Sequence, residues 1–368
     1  MAGERISRRQ FLEQMAAGGM TALAYFVWAG LLEGEREEFD LDWLTHPEQY
    51  RFQLRHSALP DDNQGIFINT PFLYLADDEA IDKLLPSLGP WTKGARVFID
   101  DRYEPRLGEY DKKVLDRLVT YGAKLAALGK TLQVDFFDGY TMHRTWNPIY
   151  GGNGATSPYA VYGNEAFFGE EKPVNAFIDR IRAILPTVLS IPNLSALSVA
   201  NELRPVGNKQ GRLEFAAWYQ RIVDEIRQWS VDIPIYSGVA RPSLLPQIAG
   251  LTANTAHLYP FLNVEQELVE SGRTTPQPIV VQEIGATNTY FGINFPVSRD
   301  EILSGYLRSV LQRTTEVNRI SRTVTLVTAT LYPWKLDDYS DGFHIDETFE
   351  RTNEILATLA TIYAGFNQ

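Results

Sequence analysis

Two glutamates stand where apolar runs stop. Ser198-Val199-Ala200-Asn201-Glu202 and Val280-Val281-Gln282-Glu283-Ile284-Gly285 each lead a β-type run up to one carboxylate. Carboxylates ending two strands, on opposite sides of one mouth, form the pair that cleavage of a glycosidic bond needs. One must be protonated to assist the leaving oxygen, and one must be ionised to act on the anomeric carbon. Burial and a neighbouring carboxylate favour the protonated form, while a nearby guanidinium favours the ionised form, so the two roles divide by environment.

The elements that must hold such a pair are legible as an alternation of β-type runs with longer segments of helical period, the signal of βαβ units and a parallel sheet. The spacing predicts strands at Gly65 to Asn69, Arg96 to Asp100, Leu132 to Phe137, Ala196 to Ala200, Ile233 to Ser237, Asn254 to His257, Ile279 to Glu283 and Val324 to Leu331. Helices are predicted over 77–88, 109–128, 173–189, 212–229, 244–251, 264–270, 299–315 and 352–364; Val114, Leu115, Leu118, Tyr121 and Leu125 illustrate the apolar stripe. Eight strands alternating with helices point to an α/β protein, a (β/α)8 TIM barrel over residues 61–368. Barrel enzymes place chemistry at the C-terminal ends of their strands, where both glutamates fall. The irregular stretch Gly139 to Gly169 follows the third strand and is expected over that same face as a substrate-contacting loop, with Trp146, Tyr150 and Tyr162 as aromatic candidates.

These strand-end motifs resemble the glycoside hydrolases of clan A, most nearly the cellulase-like and mannanase-like enzymes of family 5. The resemblance covers roughly residues 60–365 and rests on short motifs in a common order. It implies a retaining glycoside hydrolase acting on a β-linked polysaccharide or oligosaccharide. Glu202 becomes the general acid/base, Glu283 the nucleophile, and Asn201 a hydrogen-bond partner of the sugar 2-hydroxyl. Arg96 is expected to hold the nucleophile ionised. His257 and Tyr259, from His257-Leu258-Tyr259 on strand six, join the site, with Tyr259 expected to orient Glu283. Trp334, in Tyr332-Pro333-Trp334 after strand eight, supplies the aromatic floor of the sugar subsite. The chain departs from the pattern twice: Leu203 follows the acid/base where many relatives carry Pro, and Phe137-Asp138 ends strand three where a His is common. Asp138, or His143 from the following loop, is expected to take that His's place. A noncatalytic carbohydrate-binding barrel and a transglycosylase using the same carboxylates are the competing readings.

Composition narrows the alternatives. Apolar residues form 44% of the 368-residue chain and charged residues 22%, ordinary globular usage with enough apolar side chain for a sizeable core. The absence of cysteine excludes disulfides, thiolate catalysis and cysteine-held metal clusters. A net charge of −12 disfavours nucleic acid and anionic membrane surfaces as partners. Aromatic content of 12% suits a carbohydrate substrate, whose C–H faces stack on rings. No candidate strand carries the lysine of a Schiff-base aldolase, the first strand lacks the His-x-His of an amidohydrolase, and Gly285-Ala286-Thr287-Asn288 is too short of glycine for a phosphate loop. No cofactor or metal is expected. At the N-terminus, Ser7-Arg8-Arg9-Gln10-Phe11-Leu12 precedes the apolar run Met15 to Leu32 and resembles a twin-arginine export signal. Residues 1–32 are therefore expected to engage the twin-arginine export machinery, with cleavage after Ala29 or with residues 15–32 retained as a membrane anchor. Residues 33–60 form a linker and N-terminal extension. Both alternatives place the barrel outside the cytoplasm, in the periplasm or beyond the cell.

Overall fold

The computed structural model describes residues 65–90, 92–99, 101–142, 157–229, 232–245, 247–258, 277–285, 289–290, 293–294 and 320–327. In chain order these contain β1 (Gly65–Asn69), α1 (Asp78–Leu84), β2 (Thr92–Phe98), α2 (Lys112–Ala127), β3 (Thr131–Asp135), α3 (Gly163–Gly169), α4 (Glu171–Leu189), β4 (Leu194–Ser198), α5 (Lys209–Trp229), β5 (Ile235–Tyr236), β6 (Asn254–Leu258) and β7 (Ile279–Ile284), followed by the short antiparallel pair β8 (Thr289–Tyr290) and β9 (Ile293–Asn294) and then β10 (Ile320–Val327).

Eight strands pair in parallel in the order β5-β4-β3-β2-β1-β10-β7-β6. A further parallel bridge between Tyr236 and Ala253 joins the two outer strands, so the sheet closes on itself. Closure removes free edges, and because both faces are covered the strands read as nearly continuous buried runs, such as Ile66 to Asn69 in β1 and all of β6 and β7. Close strand approach depends on Gly94 in β2: a Cβ there would stand 2.1 Å from the Thr131 carbonyl oxygen of β3.

The helices pack by stripe. Asp111 caps α2 by accepting from the Lys113 N–H at 3.0 Å, and Val114, Leu115, Leu118, Tyr121 and Leu125 then bury along one side. Phe177 of α4, Phe167 and Phe168 of α3, Trp218 of α5 and Phe137 after β3 form one aromatic cluster, Phe177 lying 5.5 Å from Phe137 and 5.0 Å from Trp218 between ring centroids. Each such side chain contributes roughly 1.5–3 kcal/mol by leaving water.

Three expectations are corrected. The predicted helix over 244–251 does not form; a 3-10 turn spans Pro242–Leu244 and Leu245 is extended at φ −126° and ψ 121°. The apolar spacing of Leu245, Ile248 and Leu251 mimics a helix, and all three are buried, but the residue before Pro246 is driven out of the α region. Conversely, the stretch 139–169 is not wholly irregular, since it ends in α3, whose seven residues are too short to show a period. The eighth barrel strand begins earlier than its predicted bounds, at Ile320. The predicted helices over 264–270, 299–315 and 352–364, and the N-terminal segment and linker, lie outside the described residues. Among the described residues no helix is long and apolar enough to cross a membrane.

Candidate active site

The chain after β4 holds Glu202 in a conformation that few side chains adopt. Its φ is 50°, the one positive value at a non-glycine position among the described residues. Flanking strands enforce it. Asn201 N donates to Phe137 O at 2.7 Å and Gly139 N donates to Asn201 O at 2.6 Å on one side, while Glu202 N donates to Gly238 O at 2.8 Å on the other. Both clamping glycines are required by space: a Cβ on Gly139 would lie 2.5 Å from Asn201 O, and one on Gly238 would lie 1.4 Å from Ala200 O. The strain at Glu202 is thus supported by backbone on both sides, which fixes the carboxylate over the mouth.

Glu283 reaches the same mouth by a different device. Between Val281 and Glu283, β7 carries one residue more than β6, and between Val281 and Ile284 one more than β10. Such a bulge lets consecutive residues share a face. Gln282 Nε2 accordingly donates to Ser198 Oγ of β4 across the barrel, while Glu283 Oε1 accepts from Arg96 Nη1 of β2 at 2.7 Å. Asn69, ending β1, also directs its Nδ2 toward Glu283 Oε1, at 3.4 Å.

Arg96 is fully buried and organises the layer. Besides Glu283 it grips Asp135 in a fork, Nε to Oδ1 at 3.1 Å and Nη2 to Oδ2 at 2.6 Å, and Nη2 donates to Asn201 Oδ1 at 3.0 Å. Burial alone would lower the guanidinium's proton affinity, yet the adjacent Asp135 and Glu283 carboxylates raise it well above its ordinary value. Burial pushes the Asp135 carboxyl above its ordinary value, and Arg96 offsets that only in part. Asn201 completes the link, donating from Nδ2 to Asp138 Oδ1 at 3.1 Å.

His257 joins the two glutamates. Its Nδ1 lies 2.6 Å from Glu202 Oε1 and 3.5 Å from Glu283 Oε2, so with hydrogen on Nδ1 it donates to Glu202. One oxygen of each carboxylate and a ring nitrogen of His257 all fall within 4.8 Å of one another. Those three groups have the types that bind divalent metals, but the Arg96 guanidinium already occupies the positive side of Glu283. The two carboxylates thus differ in surroundings: Glu202 has His257 at 2.6 Å and the exposed Arg204 guanidinium at 3.8 Å, while Glu283 has the buried Arg96 at 2.7 Å, the Asn69 amide and, farther off at 3.5 Å, His257.

Of the site residues expected from sequence, Glu202, Glu283, Arg96, Asn201, His257 and Asp138 converge on one mouth. Tyr259, Trp334 and His143 lie outside the described residues, as do Trp146 and Tyr150. The sequence reading missed Asn69, Asp135 and Gln282. Asn69 ends β1 just as Asn201 follows β4, and Asp135 is an acid inside a run buried on both faces, where a charge must be paired.

No protein-family model matches this chain, and neither does any curated protein. Solved structures do. The endo-β-1,4-mannanase from Thermotoga petrophila superposes with a TM-score of 0.62 at 16% identity, over 82% of this chain and 77% of that one. The endo-1,4-β-mannanase from Rhizomucor miehei gives 0.59 at 12% identity, over 83% and 95%. Endo-glycoceramidase II from Rhodococcus sp., in complex with a cellobiose-like imidazole, gives 0.52 at 19% identity, over 74% and 76%. At such identities the likeness speaks to fold: the chain is an α/β protein with a (β/α)8 barrel.

Proposed function

We propose that the protein is a retaining glycoside hydrolase that cleaves β-linked oligosaccharides or polysaccharides by double displacement. The observation that carries this reading is the pairing of Glu202 and Glu283 across the mouth, with carboxylate oxygens within 4.8 Å of one another and the buried Arg96 guanidinium held on Glu283 at 2.7 Å. Retaining enzymes hold their carboxyl groups about 5–5.5 Å apart, against about 6.5–9.5 Å where a water must fit between. Glu283, ionised beside Arg96, attacks the anomeric carbon, and the C–O bond to the leaving group breaks as Glu202 delivers its proton to that oxygen. Glu202, now a carboxylate, takes a proton from water as the water oxygen displaces Glu283. Two inversions restore the starting configuration. Asn201, with Oδ1 held by Arg96 and one N–H by Asp138, has a second N–H for a sugar hydroxyl.

The first substrates to try are β-mannan and aryl β-mannosides, because the Thermotoga petrophila and Rhizomucor miehei structures are of β-mannanases. NMR of early product should show the retained anomer. Glu283→Ala should lose turnover by many orders of magnitude and, with azide, form the glycosyl azide of inverted configuration; Glu202→Ala with azide should form the retained one. Inverted wild-type product, or full activity in both variants, would overturn the assignment.

A further inference from the structure

On the helix side of β3 lies a second set of buried charges that this chemistry does not use. Arg180 of α4 and Glu104 of the segment after β2 are fully buried, and Asp101 is 2% exposed. Arg180 Nη1 donates to Glu104 Oε2 at 3.0 Å, and Nη2 lies 3.8 Å from Asp101 Oδ1 and donates to Phe136 O at 3.5 Å. The guanidinium also sits over the rings of Tyr103 and Phe137, at 5.4 and 5.8 Å. Tyr159 OH donates to the same Glu104 oxygen at 3.0 Å, and Gly108 N donates to its other oxygen at 2.7 Å. The segments after β2 and β3 thus converge on one side chain of α4.

A buried ion cluster adds little stability, because desolvation consumes most of what the charges gain from one another. Its geometry is another matter. Phe136 and Phe137 are the two residues between Asp135, which grips Arg96, and Asp138, which accepts from Asn201. Phe137 O accepts from Asn201 N, and Asn201 carries Glu202 on its next peptide bond. Arg180 therefore holds, from the helix side, the stretch that holds the general acid from within the barrel.

We propose that Arg180, with Glu104 as its counter-charge, is a positioning residue for the general acid, acting through Phe136–Asp138 on Asn201 and Glu202 without touching substrate. The proposal rests on the glycosidase reading of Glu202, and its tests separate the two. With phenyl and 2,4-dinitrophenyl glycosides of a sugar that the wild type turns over, kcat/KM reports the first displacement. That step needs acid help for phenol and hardly any for dinitrophenol. Arg180→Met should lose about 10- to 100-fold on the phenyl glycoside and less than about 3-fold on the dinitrophenyl one, with Arg180→Lys recovering part of the loss. Equal loss on both substrates, or none in a folded variant, overturns the proposal. If Arg180→Met does not fold, Glu104→Gln, which keeps the shape and removes the counter-charge, should show the same selectivity, and a wild-type ratio there overturns it.

A readout free of activity is the crystal structure of the folded variant beside that of the wild type. The Asn201 Nδ2 to Asp138 Oδ1 contact should lengthen beyond hydrogen-bond reach, and an unmoved contact overturns the proposal. Should the wild type cleave no glycoside, the function reading falls and this structural comparison decides the positioning claim alone.

Discussion

Replacing Gly238 by Ala tests whether the β5 side of the barrel sets the position of Glu202, the proposed acid/base. Gly238 lies at φ +75°, where a residue with a Cβ pays roughly 1–2 kcal/mol. The larger effect is steric. The new methyl carbon would stand 1.4 Å from Ala200 O, so one backbone must retreat by about 2 Å before ordinary contact is restored. Ala200 is two residues from Glu202, and Glu202 N is itself bound to Gly238 O, so the retreat is passed straight to the carboxylate. A misplacement of about 1 Å in a reacting group costs on the order of 100-fold in rate. We therefore expect kcat/KM on a phenyl glycoside to fall by about 100-fold or more, in a protein whose far-ultraviolet circular dichroism is unchanged. A 2-deoxy-2-fluoro glycosyl fluoride, whose leaving group needs no acid, should still label Glu283, and the label should turn over slowly because the second step needs Glu202 as base. A folded Gly238→Ala protein with wild-type kcat/KM would refute the reasoning, since Glu202 would then not depend on its β5 clamp.

Arg96→Met leaves Asp135 and Glu283 as buried carboxylates without their cation, and breaking a buried pair in this way costs about 3–5 kcal/mol. Urea unfolding measures it, and a loss below about 1 kcal/mol would mean that the fork adds nothing. Burial pushes Tyr103 and Tyr110 up to about 12 from 10.0. Below pH 10 both states keep the phenol protons; above it the unfolded chain loses them first, so stability should fall as pH rises from about 10 to 12, by up to on the order of 1 kcal/mol per unit for the buried Tyr103. A urea midpoint that does not move between pH 9 and pH 11 would contradict this. At the other end of the chain we propose export by the twin-arginine route: replacing Arg8 and Arg9 with Lys should trap the precursor in the cytoplasm, and unchanged export would remove the proposal.

The strand-end glutamates, the eight-strand alternation and the stripes of α2, α4 and α5 were legible in the sequence, because each is a local regularity. A parallel strand buried on both faces must be continuously apolar, and a polar residue that breaks its end stands out, as Asn201-Glu202 and Glu283 do. The extent of β1 was legible to the residue. What local pattern could not carry is which strand ends meet. Asn69 and Asp135 entered the site only because closure brings β1, β2, β3 and β7 around one guanidinium, and no spacing in the chain encodes that distance. Nor does the sequence show that Gln282 and Glu283 turn to the same side. Period-two alternation puts neighbours on opposite faces, and it took an extra residue, read against both flanking strands, to reverse it. The left-handed backbone at Glu202 is the same kind of fact. Nothing in Asn201-Glu202-Leu203 asks for it; the carbonyl of Gly238 and the peptide groups of Phe137 and Gly139 impose it from strands on either side. The residue types were set by chemistry written along the chain, and their mutual geometry by closure of the barrel.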